Sequence, residues 1–173
     1  MKKYKIAKIT KNVYNKDNYI KTNYTGFAKI LYYFNHKLLS FGFKNKYNKF
    51  IIDVGGGANP HVNFMDTESI LEYTIVDDLK YKSKIIELSN KYKNINFKFL
   101  NYKNLNLPKN KYTRLIASHS FEHFKNFEEE FFKLLPCLKI DSIISIALPC
   151  DPGLMWRLLQ YLIYFKQKIG RAS

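Results

Sequence analysis

The residues best suited to chemistry lie in the stretch Phe50 to Gly57, FIIDVGGG. An acid, Asp53, closes a short apolar run, and Gly55 and Gly57 follow two and four residues later. At the carboxyl end of a parallel strand, glycines let the backbone turn sharply and approach a ligand closely. A carboxylate at that strand tip can hold a ligand ammonium or hydroxyl. The combination predicts a pocket for a nucleotide-type cofactor. A nicotinamide-dinucleotide fingerprint needs a third glycine where Pro60 stands. A phosphate-cradling loop needs a Gly-Lys-Ser/Thr ending, and none follows.

Three later segments add polar groups at the ends of apolar runs. Tyr73 to Val76 ends in Asp77-Asp78, and Ile95 to Leu100 ends in Asn101-Tyr102. Thr113 to Ala117 runs into Ser118-His119-Ser120-Phe121-Glu122-His123. The acid-x-Gly-x-Gly pattern resembles motif I of the class I S-adenosylmethionine-dependent methyltransferases. Asn59 stands where that family usually has its third glycine, and Asn tolerates positive φ better than most residues. The Ser118–His123 segment looks like the "LEH" segment of the methyltransferases grouped with ubiquinone/menaquinone-biosynthesis C-methyltransferases.

The resemblance covers about residues 25 to 160 and implies a set of roles. Asp53 would orient the methionine ammonium, partly through water, with Gly55 and Gly57 as the floor against the methionyl part. Asp77 would grip the ribose hydroxyls, with Asp78 as second choice. Asn101 would read the adenine amino group, with Tyr102 beside it in the same loop. Ser118 and His119 would lie near the methionine end, where either touches cofactor or acceptor; they are the catalytic candidates. Each has a plainer alternative: a solvated acid at a strand end, a tight turn, a surface acid, an Asn serving turn chemistry. Glu122 and His123 fit a turn into the next helix, and His61 fits a helix start. A His-x-x-Glu-His string raises zinc, but the four histidines offer no further ligand set of suitable spacing, so no metal is expected.

The implied reaction is transfer of a methyl group from S-adenosylmethionine to a small-molecule or lipid-like acceptor. It is an in-line displacement that needs positioning and desolvation rather than a covalent intermediate. Two alternatives stand beside it: a cofactor-binding remnant without turnover, and a basic RNA-binding protein or RNA methyltransferase.

The elements that must position these residues alternate. Strands are predicted at 50–54, 73–77, 95–100, 113–117 and 142–148, with helices near 24–43, 62–71, 82–93 and 127–138. Pro60 suits the first turn of the second helix. Such alternation implies an α/β fold: a Rossmann-like, mostly parallel sheet of five strands with helices on both faces. The resemblance implies that the helix before the glycine loop caps the cofactor pocket, though packing on the sheet is the expected role for most of its aromatics. The family's closing β-hairpin is expected to be missing, because the chain stops at Ser173.

Composition sets the remaining bounds. A chain of 173 residues fits one domain, expected over 23–173 behind a basic arm at 1–22. The net charge of +15 raises nucleic acid or anionic membrane as partners. The lysines are scattered, however, and residues typical of AT-rich codons dominate, so nucleic acid is not the expected partner. Cys137 and Cys150 have neither disulfide-framework nor metal spacing and read as reduced, buried thiols. The N-terminus lacks an apolar signal region, and no run reaches membrane-span length, which predicts a cytoplasmic protein. The apolar stretch Leu154 to Tyr164, flanked by Arg157, Lys166, Lys168 and Arg171, either packs over the fifth strand or makes peripheral membrane contact.

Overall fold

The structure is a computed structural model that describes residues 26–41, 45–121, 124 and 126–148. The basic arm, Glu122, His123, Cys150 and the stretch from Leu154 to Tyr164 lie outside the described residues.

Five parallel strands form one sheet: β1 (Phe50–Val54), β2 (Glu72–Asp77), β3 (Asn96–Asn101), β4 (Tyr112–Ser118) and β5 (Leu138–Ala147). Their order is β3-β2-β1-β4-β5. The chain builds outward from β1 to β3, then crosses back to place β4 on the other side of β1. The switch point therefore lies between the tips of β1 and β4, where open α/β sheets bind ligands. The α/β expectation holds.

The central strands are buried on both faces, which explains their unbroken apolar runs. Ile51 and Ile116 point into one core with Tyr73, Ile75 and Phe97, while Ile52, Val54, Leu115 and Ala117 point into the other. Helix α1 (Gly26–Ser40) contributes Leu39 to the first core, and α2 (Lys84–Lys91) contributes Leu88. Helix α3 (Phe127–Leu134) covers the second core through Leu134. Its start is capped reciprocally: the Asn126 side chain accepts from the Glu129 N–H and donates to the Glu129 carboxylate at 3.0 Å.

The helix expected over 62–71 does not form. Pro60 opens only a 3-10 turn, His61–Phe64, and Met65 is already extended at φ −120°. The Asp66 carboxylate then accepts from the Glu68 N–H at 3.0 Å, a local bond that competes with helix continuation. Likewise α3 stops at Leu134, because Pro136 falls in the following 3-10 turn and has no N–H to continue the ladder. β5 consequently begins at Leu138, earlier than its apolar pattern indicated. Cys137 sits in that turn rather than in a helix, buried as expected; burial pushes its thiol up to about 11.

Buried Arg114 on β4 fastens α1 to the sheet. Its guanidinium donates to Asn48 Oδ1 at 2.7 Å, to the Leu39 carbonyl and to Ser145 Oγ at 3.2 Å. Burial lowers its pKa to about 10, so it stays charged at neutral pH.

Candidate cofactor site at the β1 tip

The bend after β1 is so tight that no side chain fits on it. Gly55 takes φ +79° and donates its N–H to the Val76 carbonyl at 2.8 Å. A Cβ there would lie 2.2 Å from Ser120 Cβ. On Gly56 it would lie 2.1 Å from Asp53 Oδ2, and on Gly57 2.6 Å from Asp77 Oδ2. The two acids of the β1 and β2 tips thus press against the glycines from either side.

Asp53 is 1% exposed, so it is not a solvated strand-end acid. Its Oδ2 accepts from the Tyr73 hydroxyl at 2.6 Å and from the His61 N–H at 2.9 Å. The same hydroxyl accepts from the Val62 N–H at 3.0 Å. Tyr73 therefore ties β2, the β1 acid and the following 3-10 turn together. Burial, with a smaller push from Asp77, raises the Asp53 carboxyl to about 6, against the pull of those two hydrogen bonds.

Asp77 is half-buried. One oxygen accepts from the Gly57 N–H at 2.8 Å, the other from the Asp78 N–H at 2.6 Å. Burial pushes its pKa upward. Asn101 is its partner across β2 and β3, so the two expected nucleoside contacts sit side by side. The Asn101 side-chain oxygen, however, accepts from the Lys103 N–H at 3.0 Å and caps a 3-10 turn, Tyr102–Asn104. That is the turn chemistry its residue type allowed. Tyr102 packs edge-on against Phe124 and lines a separate open cleft of about 620 Å³ with Leu105 and Leu107.

At the β4 tip, Ser118 Oγ is buried and has no hydrogen-bond partner. His119 adopts φ +51°, a conformation that costs a non-glycine residue strain. Its N–H donates to the Ala147 carbonyl at 2.9 Å, Asn35 Nδ2 donates to its Nε2 at 2.5 Å, and its ring tilts on Tyr32.

His61 is more than the helix-start residue its position implied. It is buried, with Nδ1 2.8 Å from Nδ1 of His36 and Nε2 2.7 Å from Ser40 Oγ. His36 in turn stacks on Phe64 at 4.1 Å. Burial first, then neighbouring positive charge, lowers His36 to about 4 and His61 to about 2. Both rings are neutral at neutral pH. Each hydrogen bond then has one donor and one acceptor, and only protonating both rings would set N–H against N–H.

Between α1 and the glycine bend lies a cavity of about 30 Å³, walled by Tyr32, His36, Asp53, Gly55, Gly56 and Ser118. That is room for about one water. Asp77, Asn101 and Tyr102 do not line it. Among the described residues no group of three or more His, Cys, Asp or Glu is placed to hold a metal. Tyr73, Gly56, His36 and Asn35 join the site without having been marked as site residues in the sequence. For Tyr73 a signal existed, since a tyrosine in a fully buried strand needs a partner for its hydroxyl.

No protein-family model matches the sequence, and no curated protein matches it. Among solved structures, the chain is similar to a protein from Methanococcus maripaludis assigned as an S-adenosylmethionine-dependent methyltransferase (15% identity, TM-score 0.60, 99% of this chain and 78% of that one). It is also similar to an S-adenosylmethionine-dependent methyltransferase from Aquifex aeolicus (17% identity, TM-score 0.58, 81% and 78%). A third is the plantazolicin methyltransferase in complex with S-adenosylhomocysteine (23% identity, TM-score 0.55, 77% and 53%). The chain thus spans only about half the length of that third protein. At these identities the likeness establishes the fold: a Rossmann-like α/β sheet of the methyltransferase type.

Proposed function

We propose that this chain binds S-adenosylmethionine over the tips of β1, β2 and β3 and transfers its methyl group to a small-molecule or lipid-like acceptor. The observation that carries this is the glycine bend at the switch point, closed against two acids so tightly that a Cβ at any of its three positions would overlap a neighbour. The methyltransferase-type fold and the complex of one similar structure with S-adenosylhomocysteine support the choice of cofactor.

When bound, the cofactor supplies an electrophilic sulfonium methyl. The chain's own part is binding and orientation. Asp53, braced by Tyr73, sets a buried negative charge under the bend, where it attracts the ammonium of the methionyl part. Asp77 would hold the ribose hydroxyls with the lone pairs its backbone bonds leave over, and Asn101 would read the base from the next strand with the lone pair its Lys103 bond leaves over. Ser118 Oγ and His119 would lie where donor and acceptor meet. Holding the two in attack geometry away from water is the main catalytic contribution such a site makes.

The 30 Å³ cavity is far too small for a nucleoside. The nucleoside would therefore lie outside it, over Asp77 and Asn101, which do not line that cavity. Calorimetric titration with S-adenosylhomocysteine tests the assignment. Wild type should bind, and Asp77→Ala should bind at least about tenfold more weakly, a loss of roughly 1.4 kcal/mol. Absent binding, or equal binding by both, refutes it. Transfer of labelled methyl to a cell-extract acceptor then separates turnover from binding alone.

A further inference from the structure

The inward side of helix α1 is mixed: Leu39 enters the first core, while Asn35, His36 and Ser40 face the glycine bend and β4, where they bond to His119 and His61. Four other large side chains face outward: Ile30 is 51% exposed, Tyr33 49%, Phe34 62% and Leu38 66%, with Phe41 just beyond the helix end. On a helical projection Ile30, Tyr33, Phe34 and Leu38 fall on one continuous arc, and the cation within that arc is Lys37, whose ammonium lies over the Tyr33 ring. A surface helix normally buries such an arc, so an exposed one marks an interaction surface.

The charge around it selects the partner. Residues 26–49 contain five lysines and no acid, in a chain of net charge +15. Lys29 and Lys37 are exposed on α1 itself. Cations among aliphatic side chains are disfavoured in the core of a protein interface, from which charged residues are depleted. They are the rule for helices that lie in a membrane interface, where the apolar arc enters the acyl boundary and lysines reach anionic headgroups. A nucleic acid would use the charge but not Ile30 or Leu38, which cannot stack on bases as aromatic rings do. Tyr33, with an apolar ring and a polar tip, suits the headgroup level.

We infer that the outward face of α1, centred on Ile30, Phe34, Leu38 and Lys37, docks this protein on an anionic lipid bilayer. The docking face and the pocket wall are then opposite sides of one helix. This inference stands independently of the methyl-transfer proposal, since it concerns where the protein sits rather than what it binds in its bend.

Flotation of the full chain with phosphatidylcholine vesicles, with and without phosphatidylserine, tests it. Wild type should float with the phosphatidylserine vesicles and be released by salt. Phe34→Ser/Leu38→Ser should lower the partition coefficient at least about tenfold, since two large apolar side chains no longer enter the interface. Lys29→Gln/Lys37→Gln should remove part of the phosphatidylserine preference. Both variants should keep the wild-type far-ultraviolet spectrum and S-adenosylhomocysteine affinity, and a melting temperature within what the substituted residues' helix propensities explain. The inference is overturned if wild type ignores both vesicles, or if the apolar variant floats as well as wild type. A melting temperature lowered for both Phe34→Ser/Leu38→Ser and Ile30→Ser, beyond what serine's weaker helix propensity explains, also overturns it, because the arc is then covered by this chain itself. So does a wild-type dimer that the variant converts to monomer, which would make a second copy the partner. Should Phe34→Ser/Leu38→Ser fail to fold, Ile30→Ser carries the same comparison.

Discussion

Removing one hydroxyl should expose how the site is built. In Tyr73→Phe the ring stays in the core, but Asp53 loses its 2.6 Å donor and the Val62 N–H loses its 3.0 Å acceptor. Leaving a buried N–H unpaired costs about 1–3 kcal/mol, and a hydrogen bond to a charged group contributes a similar amount. A total of roughly 2–4 kcal/mol should lower the melting temperature by about 10 °C in a domain of this size. The second effect is electrostatic. The Tyr73 bond favours ionised Asp53 against burial, which holds the carboxyl near 6. A bound cation favours the ionised form further, so cofactor affinity should rise with pH up to about 6 and level off above it. Without the hydroxyl that levelling point should move up by roughly one pH unit. Calorimetry with S-adenosylhomocysteine from pH 5 to 8, on wild type and variant, reads both effects. An affinity profile that is flat, or that levels at the same pH in the variant, would refute the placement of Asp53 beneath the ligand.

Gly56→Ala places a Cβ 2.1 Å from the Asp53 carboxylate, which its two donors hold fast, so unfolding should become easier by about 1–3 kcal/mol and binding should weaken; a wild-type urea midpoint would contradict this. His36 and His61 fall from 6.5 to about 4 and 2 on folding, so the unfolded chain binds more protons below 6.5 and each ring should cost about 1.4 kcal/mol of stability per pH unit on acidification. Asp53, raised from 3.8 to about 6, works in the opposite sense between those values. Over these three groups the sum is a loss of about 1.4 kcal/mol per pH unit from pH 6 to 4, offset in part by Asp77, whose carboxyl burial also raises; urea midpoints that rise on acidification over that range would show the histidine pair is not buried as described. Arg114→Met removes donors to Asn48, Leu39 and Ser145 at once and should destabilise by about 2–4 kcal/mol, most visibly as early exchange of α1 amides with deuterium; uniform protection would show that α1 is held elsewhere.

Much of the fold was legible because its signals are local. Ile51-Ile52 and Leu115-Ile116 are apolar on consecutive positions, which only a strand buried on both faces requires, and the glycines after Asp53 mark a bend. The misreadings came where a local competitor beat the wider pattern. Alternation of strand and helix calls for a helix from Val62 to Leu71, poorly marked in its own residues, yet Asp66 bonds to the backbone two residues on and the chain straightens at Met65. Asn101 carried two meanings, ligand or turn; its side-chain oxygen caps the turn through the Lys103 N–H and keeps a second lone pair for a ligand.

From the sequence alone came the order of strands and helices, the bend and the acids beside it. These follow from side-chain periodicity and backbone freedom within a few residues of each other. Only the tertiary structure decided that Tyr73 grips Asp53 across 20 positions, that His36 meets His61 across 25, and that α1 turns Asn35, His36 and Ser40 inward beside Leu39. Such pairings arise when strands align and a helix docks, and no pattern in a single segment records which distant partner will satisfy a buried hydroxyl or imidazole.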